Sequence, residues 1–330
     1  MARIVVKMME VSGVHLDIVP PDWFWIVYHI VIIVLIIIDL KWAWGGKHKP
    51  TLKTTMMWLI IWISTASILG VYIMLNYGYL AGLLYYTAYV VEYSLSIDNM
   101  FVFAVIFTYF AVPLEYQTKT LYIGILTAII LRAIFIGVGI TALMMWRPVV
   151  YVFAAILFYT GYKLMRAKEV SVEPERNPLV KFAKKYFPIT NFYKGDKFII
   201  RDTNALLFSP LILVLLTIES TDIMFAFDSV PAVIAVTENF FLAYTSNIMA
   251  ILGLRSLYFI IAIVAFRLKY LSKGLMIVLM FLGAKIIVNE IGRTYNFEIP
   301  TTISIIIVLS IIFTSAIVSV ISEKRTKIAK

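Results

Sequence analysis

Eight ionisable side chains fall inside stretches otherwise apolar enough to cross a membrane: Glu92, Asp98, Arg132, Glu219, Asp222, Asp228, Arg255 and Lys285. A charge at the centre of a membrane helix costs about 2.5–3.5 kcal/mol even on a lenient insertion scale. Keeping several requires mutual pairing, a water-filled cavity or a bound ion. Five acids against three bases leave two negative charges, which one divalent cation would neutralise. Two other readings stay open: protonation of a buried acid, and a structural salt-bridge network built on Arg132 and Arg255. With Asn99 and the hydroxyls of Ser94, Ser96 and Ser220, the acids form an oxygen-rich set. Such a set suits Mg²⁺, Ca²⁺ or Mn²⁺ rather than copper or zinc. Met100 and Met224 occupy matched positions beside the acids. As thioether ligands they would favour Mn²⁺ over Ca²⁺; their competing role is packing. His15 and His48 lie outside the apolar stretches and His29 stands alone in one, so a softer metal gains nothing from them. The candidate metal set is therefore Glu92, Asp98, Asn99, Glu219, Asp222 and Asp228, with Arg132, Arg255 and Lys285 compensating charge. The metal is cargo, and no prosthetic group is called for.

The elements that must position these groups follow from composition. The 330 residues are 62% hydrophobic and 15% charged, with a mean hydropathy of +0.93. Ordinary soluble domains carry about 25% charged residues. Soluble enzymes, nucleic-acid-binding domains and disulfide scaffolds are excluded, and the absence of cysteine removes thiolate chemistry. No GxSxG elbow, HExxH pair or P-loop marks an intramembrane enzyme. A crossing needs about 20 mostly apolar residues, and nine segments qualify: 23–40, 56–75, 82–110, 119–145, 148–166, 207–236, 241–266, 271–291 and 300–321. The expected fold is all-α and polytopic, with nine transmembrane helices.

Charge orients it. Outside these segments or within a turn of their ends, 22 lysines and arginines fall on one side and four (Arg3, Lys7, Arg147 and Arg293) on the other. Positive loops stay inside, which predicts an external N-terminus and a cytoplasmic C-terminus in the plasma membrane. Residues 1–22 lack a signal-peptide layout and are expected as a retained, external surface segment. Residues 23–75 form two peripheral helices, and 292–330 the last helix with a basic tail. The long loop 167–206, with Lys181, Lys184 and Lys185, reads as a solvated cytoplasmic connector steadied by anionic headgroups. Asp39 and Glu290, beside Lys41 and Arg293, are expected at the interface. Lys285 is expected to snorkel. Trp23, Trp25, Trp42, Trp44 and Trp58 are expected to form an interfacial belt.

An internal duplication is also visible. Ser96-Ile97-Asp98-Asn99-Met100-Phe101-Val102-Phe103 echoes Ser220-Thr221-Asp222-Ile223-Met224-Phe225-Ala226-Phe227. Leu131-Arg132-Ala133 echoes Leu254-Arg255-Ser256, and Gly161-Tyr162-Lys163 echoes Gly283-Ala284-Lys285. The offsets are 124, 123 and 122. Residues 82–166 and 207–291 are thus read as two three-helix units, and an odd helix count inverts the second. Inverted repeats of this type are found in secondary transporters, whose sites lie at the repeat interface. Glu219 and Asp222, three apart, share a helix face. Pro231 predicts a helix break over Phe227–Pro231, where freed carbonyls would join the site.

Glu92-Tyr-Ser-Leu-Ser-Ile-Asp98-Asn99 followed by Met-Phe-Val-Phe, with the later Phe-Ala-Phe-Asp228-Ser-Val-Pro231-Ala, resembles the TerC family of integral membrane proteins, within the lysine-exporter superfamily. The resemblance covers the third to eighth segments. It implies a multi-pass inner-membrane protein tied to Mn²⁺ efflux, with relatives linked to tellurite resistance and to membrane-protein insertion. It places the family's acidic positions on Glu92, Asp98, Asp222 and Asp228. The expected function is export of a divalent cation, Mn²⁺ ahead of Ca²⁺, by proton antiport. The alternative is a membrane scaffold or insertion factor acting through the 167–206 loop. The partners expected are the metal ion and an anionic bilayer, not nucleic acid, with a homo-oligomer left open.

Overall fold

The computed structural model describes residues 18–44, 51–166, 174–201, 206–264, 270–292, 297 and 299–328. Eleven α-helices organise them: α1 (Asp22–Trp44), α2 (Leu52–Tyr77), α3 (Tyr79–Tyr109), α4 (Leu114–Met145), α5 (Val149–Arg166), α6 (Pro178–Tyr186), α7 (Leu211–Val236), α8 (Phe240–Leu252), α9 (Leu254–Val264), α10 (Leu271–Gly292) and α11 (Thr301–Ile328). Seven segments among the described residues are long and apolar enough to cross a membrane, with α8 and α9 counted together. Of the nine expected, α5 and α7 fall outside that standard for different reasons. The apolar part of α5 is short, Val149–Lys163. In contrast, α7 has 26 residues but carries Glu219, Asp222 and Asp228 within ten of them.

Local chemistry sets the helix ends. Thr51 caps α2 by accepting a hydrogen bond from Thr54 N at 3.3 Å. Gly78, with φ of +99°, ends α2 and begins α3, a conformation that side chains rarely adopt. The resulting hairpin packs closely: Tyr85 and Tyr86 donate to the Ala66 and Ser67 carbonyls at 3.0 and 2.6 Å. Outward faces remain apolar. Ile26, Ile30, Ile33 and Ile37 of α1 are all exposed, as expected of a helix whose solvent is lipid.

The central helix is α3, which packs against α2, α7, α8, α9 and α11. The other main partners are α4 with α7 and α8, and α5 with α10. Exchange of α3 with α7, α4 with α8–α9 and α5 with α10 leaves the pairings among these helices unchanged, whereas the contacts of α3 with α2 and α11 have no main counterpart on α7.

Four expectations need correction. First, α7 runs unbroken through Pro231. Ser229, Val230, Ala232 and Val233 around the proline are all buried, and neighbouring helices hold the turn despite the missing hydrogen bond. The interruption falls instead within the 241–266 segment, at Gly253 between α8 and α9. Second, Trp58 is buried against Trp62 with ring centroids 6.4 Å apart, so it does not belong to a belt. The side chains of Trp42 and Trp44 lie outside the described residues. Third, Asp39 is buried rather than interfacial. Fourth, the 167–206 loop is structured where described. It contains α6 and an antiparallel ribbon, β1 (Ile199–Arg201) with β2 (Leu206–Phe208), Ile200 opposite Leu207. Val180 and Ala183 of α6 form a small core with Leu213 of α7. Tyr193 donates to the Phe110 carbonyl at 2.6 Å, and burial raises its phenol above the usual range. The loop is docked on the ends of α3 and α7.

Candidate functional site

Glu92 and Ser96, one turn apart on α3, share a face, and the Ser96 hydroxyl donates to Glu92 Oε1 at 3.3 Å. Asp222 and Ser229 lie two turns apart on α7, again on one face. Arg132 of α4 reaches between these helices and is 1% exposed. Its Nη1 donates to Glu92 Oε1 and to Ser229 Oγ, the latter at 2.6 Å. Its Nη2 faces Asp222 Oδ1 at 3.8 Å. One guanidinium thus bridges an acid of each motif helix.

The triad is not electrically closed. Glu92 Oε2, Asp222 Oδ2 and Arg132 Nε have no hydrogen-bond partner, nor has either oxygen of Glu219. Leaving such a group unsatisfied costs about 1–3 kcal/mol, more when charged. Glu219, one turn from Asp222, lies beside Thr127 and Gly124 of α4. A Cβ at Gly124 would stand 3.3 Å from Ile218 Cγ2, so glycine eases the close approach of α4 to α7, while Glu219 Oε1 at 3.9 Å would be in ordinary contact. With Glu92, Asp222 and Glu219 ionised against Arg132, the local charge is negative by two.

The remaining expected residues divide clearly. Asn99 is buried on α3. Asp98 and Asp228 have helical backbone, but their side chains lie outside the described residues. Among the described residues, no three His, Cys, Asp or Glu side chains gather closely enough to hold a metal ion. Met100 is buried in the core, whereas Met224 is 57% exposed on the outer face of α7, so the two cannot act as a matched thioether pair. His29 is held at both ring nitrogens, by the Trp25 carbonyl at 2.7 Å and the Tyr244 hydroxyl at 2.8 Å.

Arg255 departs from its expected role beside the motif acids. It forms an ion pair with Asp39 of α1, and its guanidinium lies 4.8 Å from the centroid of the Tyr122 ring. Trp62 also lies beside the Asp39 carboxylate. Lys285 is buried and donates to the Ala235 carbonyl of α7 at 3.2 Å.

Three features escaped sequence reasoning. Ser229 carried no signal beyond its place beside Asp228. Asn247 of α8 is fully buried with neither amide atom hydrogen-bonded; an asparagine in an apolar segment was the available clue. At the far ends of the helices, Arg147 binds both oxygens of Glu238 at 2.9 and 3.0 Å and Glu290 at 3.2 Å. Burial would lower the Arg147 guanidinium, but its hydrogen bonds to these acids and their charge raise it overall. The partners of Arg147 come from distant turns, which residue order does not reveal.

The profile of the integral membrane protein TerC family matches residues 77–327. An uncharacterized membrane protein of Myxococcus xanthus is 35% identical over 294 residues, 89% of this chain and 91% of the relative. An uncharacterized membrane protein of Rickettsia felis is 34% identical over 303 residues, covering 91% and 98%. A protein of Escherichia coli K12 named as a candidate membrane-bound redox modulator, Alx, is 33% identical over 304 residues, covering 89% and 93%. No solved structure matches the chain.

Proposed function

We propose that this chain, which belongs to the TerC family of integral membrane proteins, is a secondary transporter that exports a divalent metal cation, Mn²⁺ ahead of Ca²⁺. It does so by proton antiport across the plasma membrane, with the N-terminus outside and the C-terminus in the cytoplasm. The observation that carries this reading is the buried Glu92–Arg132–Asp222 bridge, with carboxylate oxygens left over on both motif helices. The guanidinium occupies the place between the acids that a hard cation would take. A metal ion arriving from the cytoplasm draws Glu92, Asp222 and Glu219 away from Arg132, with Asp98, Asn99 and Asp228 completing the oxygen set. Protons from outside neutralise the carboxylates and release the ion, and Arg132 then returns. The exchange-symmetric helix pairings support nine crossings built on an inverted repeat of α3–α5 and α7–α10. The Arg147 clamp, which joins the α4–α5 turn to Glu238 and Glu290, supports a state closed at the outer end. Redox modulation, the role in the name of the Escherichia coli relative, would reach this cysteine-free chain through the ion moved rather than through thiol exchange.

The test is Mn²⁺ flux in proteoliposomes under an imposed pH gradient. Wild type is expected to transport, and Asp222→Asn and Asp98→Asn to lose most of the rate. Full activity in both variants removes the site. Loss of function on neutralising Lys181, Lys184 and Lys185, with the acid variants intact, would favour the scaffold reading.

A further inference from the structure

We propose that α6 is an interfacial helix whose exposed apolar stripe seats against an anionic membrane surface, anchoring the loop beside the end of α7. Nine residues make a helix that is marginal alone, so its faces report what it was built to touch. At 100° per residue, Val180 and Ala183 point one way and are buried against Leu213. Leu179, Phe182 and Tyr186 form an adjacent stripe and are 41%, 55% and 61% exposed. Phe182 and Tyr186 rings lie 4.7 Å apart, which makes the stripe a continuous aromatic surface. Lys181, Lys184 and Lys185 occupy the opposite side, with Lys185 Nζ 5.2 Å from the Tyr186 ring centroid.

Depth identifies the occupant. Asn177, the N-cap of α6, donates its side-chain amide to Ser220 of α7. Ser220 lies 16 residues from Val236 at the other end of α7, roughly 24 Å at 1.5 Å per residue. The hydrocarbon layer is about 30 Å thick, so with Val236 at one boundary the start of α6 lies about 6 Å inside the other. From Asn177 the helix runs back past Leu213, toward the end of α7. Leu179 is then the deepest member of the stripe, and Tyr186 lies at headgroup level, where tyrosine concentrates. An apolar stripe at that depth, with lysines on the opposite side, fits an amphipathic helix held by shallow burial and by attraction to anionic lipid.

The cysteine-free chain makes the test direct. Phe182→Cys, and separately Leu179→Cys, carries an environment-sensitive NBD dye in full-length protein in nanodiscs of phosphatidylglycerol and phosphatidylcholine. The expected result is blue-shifted emission, quenched by acyl-chain bromine and protected from aqueous iodide. Lys184→Cys should be open to iodide. Removing phosphatidylglycerol, or changing the other lysines to glutamine, should weaken the shift. Iodide-accessible emission at both stripe positions, indifferent to bromolipid, overturns the proposal. So does shielding from both quenchers with disulfide-linked dimers. These readouts do not depend on transport, so they fail or succeed separately from the exporter reading.

Discussion

Arg255 of α9 and Asp39 of α1 form a buried ion pair between a helix of the motif-bearing core and the outermost helix. Breaking a buried pair strands a charge and costs about 3–5 kcal/mol, whereas replacing both partners with apolar groups is often neutral. Asp39→Asn should therefore unfold at markedly lower temperature, and Asp39→Leu/Arg255→Met should recover most of the loss. Thermal unfolding in detergent, followed by size exclusion, reads both. A double variant no more stable than Asp39→Asn would contradict the pairing.

Glu219 is expected to set stability against function. Its carboxylate has no hydrogen-bond partner, so Glu219→Gln removes a poorly satisfied buried charge. The fold should gain about 1–3 kcal/mol. Mn²⁺ transport should fall, because the residue supplies two oxygens to the proposed ion set. A variant that loses stability would place Glu219 in an undetected structural pairing.

Arg132 offers the opposite case. Arg132→Gln leaves Glu92 and Asp222 facing each other without a cation. Stability should drop by about 3–5 kcal/mol and respond to added Mn²⁺, because the ion now replaces the missing charge. A melting temperature independent of Mn²⁺ from micromolar to millimolar concentration would argue against an ion site there.

The Arg147 clamp should matter far less to stability. Arg147 and Glu238 are 28% and 30% exposed, and Glu290 is 16% exposed. Exposed ion pairs contribute about 0.2–1 kcal/mol each. Arg147→Gln is expected to lower the unfolding temperature much less than Asp39→Asn while altering access from that end of the helices. Alkylation of a cysteine introduced at Thr237 measures that access, and an unchanged rate in Arg147→Gln would remove the clamp as a gate.

Apolar run length alone placed most helix boundaries within a few residues, because lipid rewards every side chain on a span in the same way. The paired motifs also carried Glu92, Asp222 and the likeness of Arg132 to Arg255 in plain view, since an acid in an apolar helix is conspicuous at any position. What the residue order could not state was who pairs with whom. Arg132 and Arg255 stand in similar triplets, yet one bridges Glu92 and Asp222 and the other is taken by Asp39 of a helix outside the paired motifs. The same limit applies to Pro231, where packing overrides a helix breaker, and to the loop, where α6 gains its place from Leu213. Helix identity is a local property summed along the chain. Charge pairing depends on which helices pack as neighbours, and only the three-dimensional arrangement decides that.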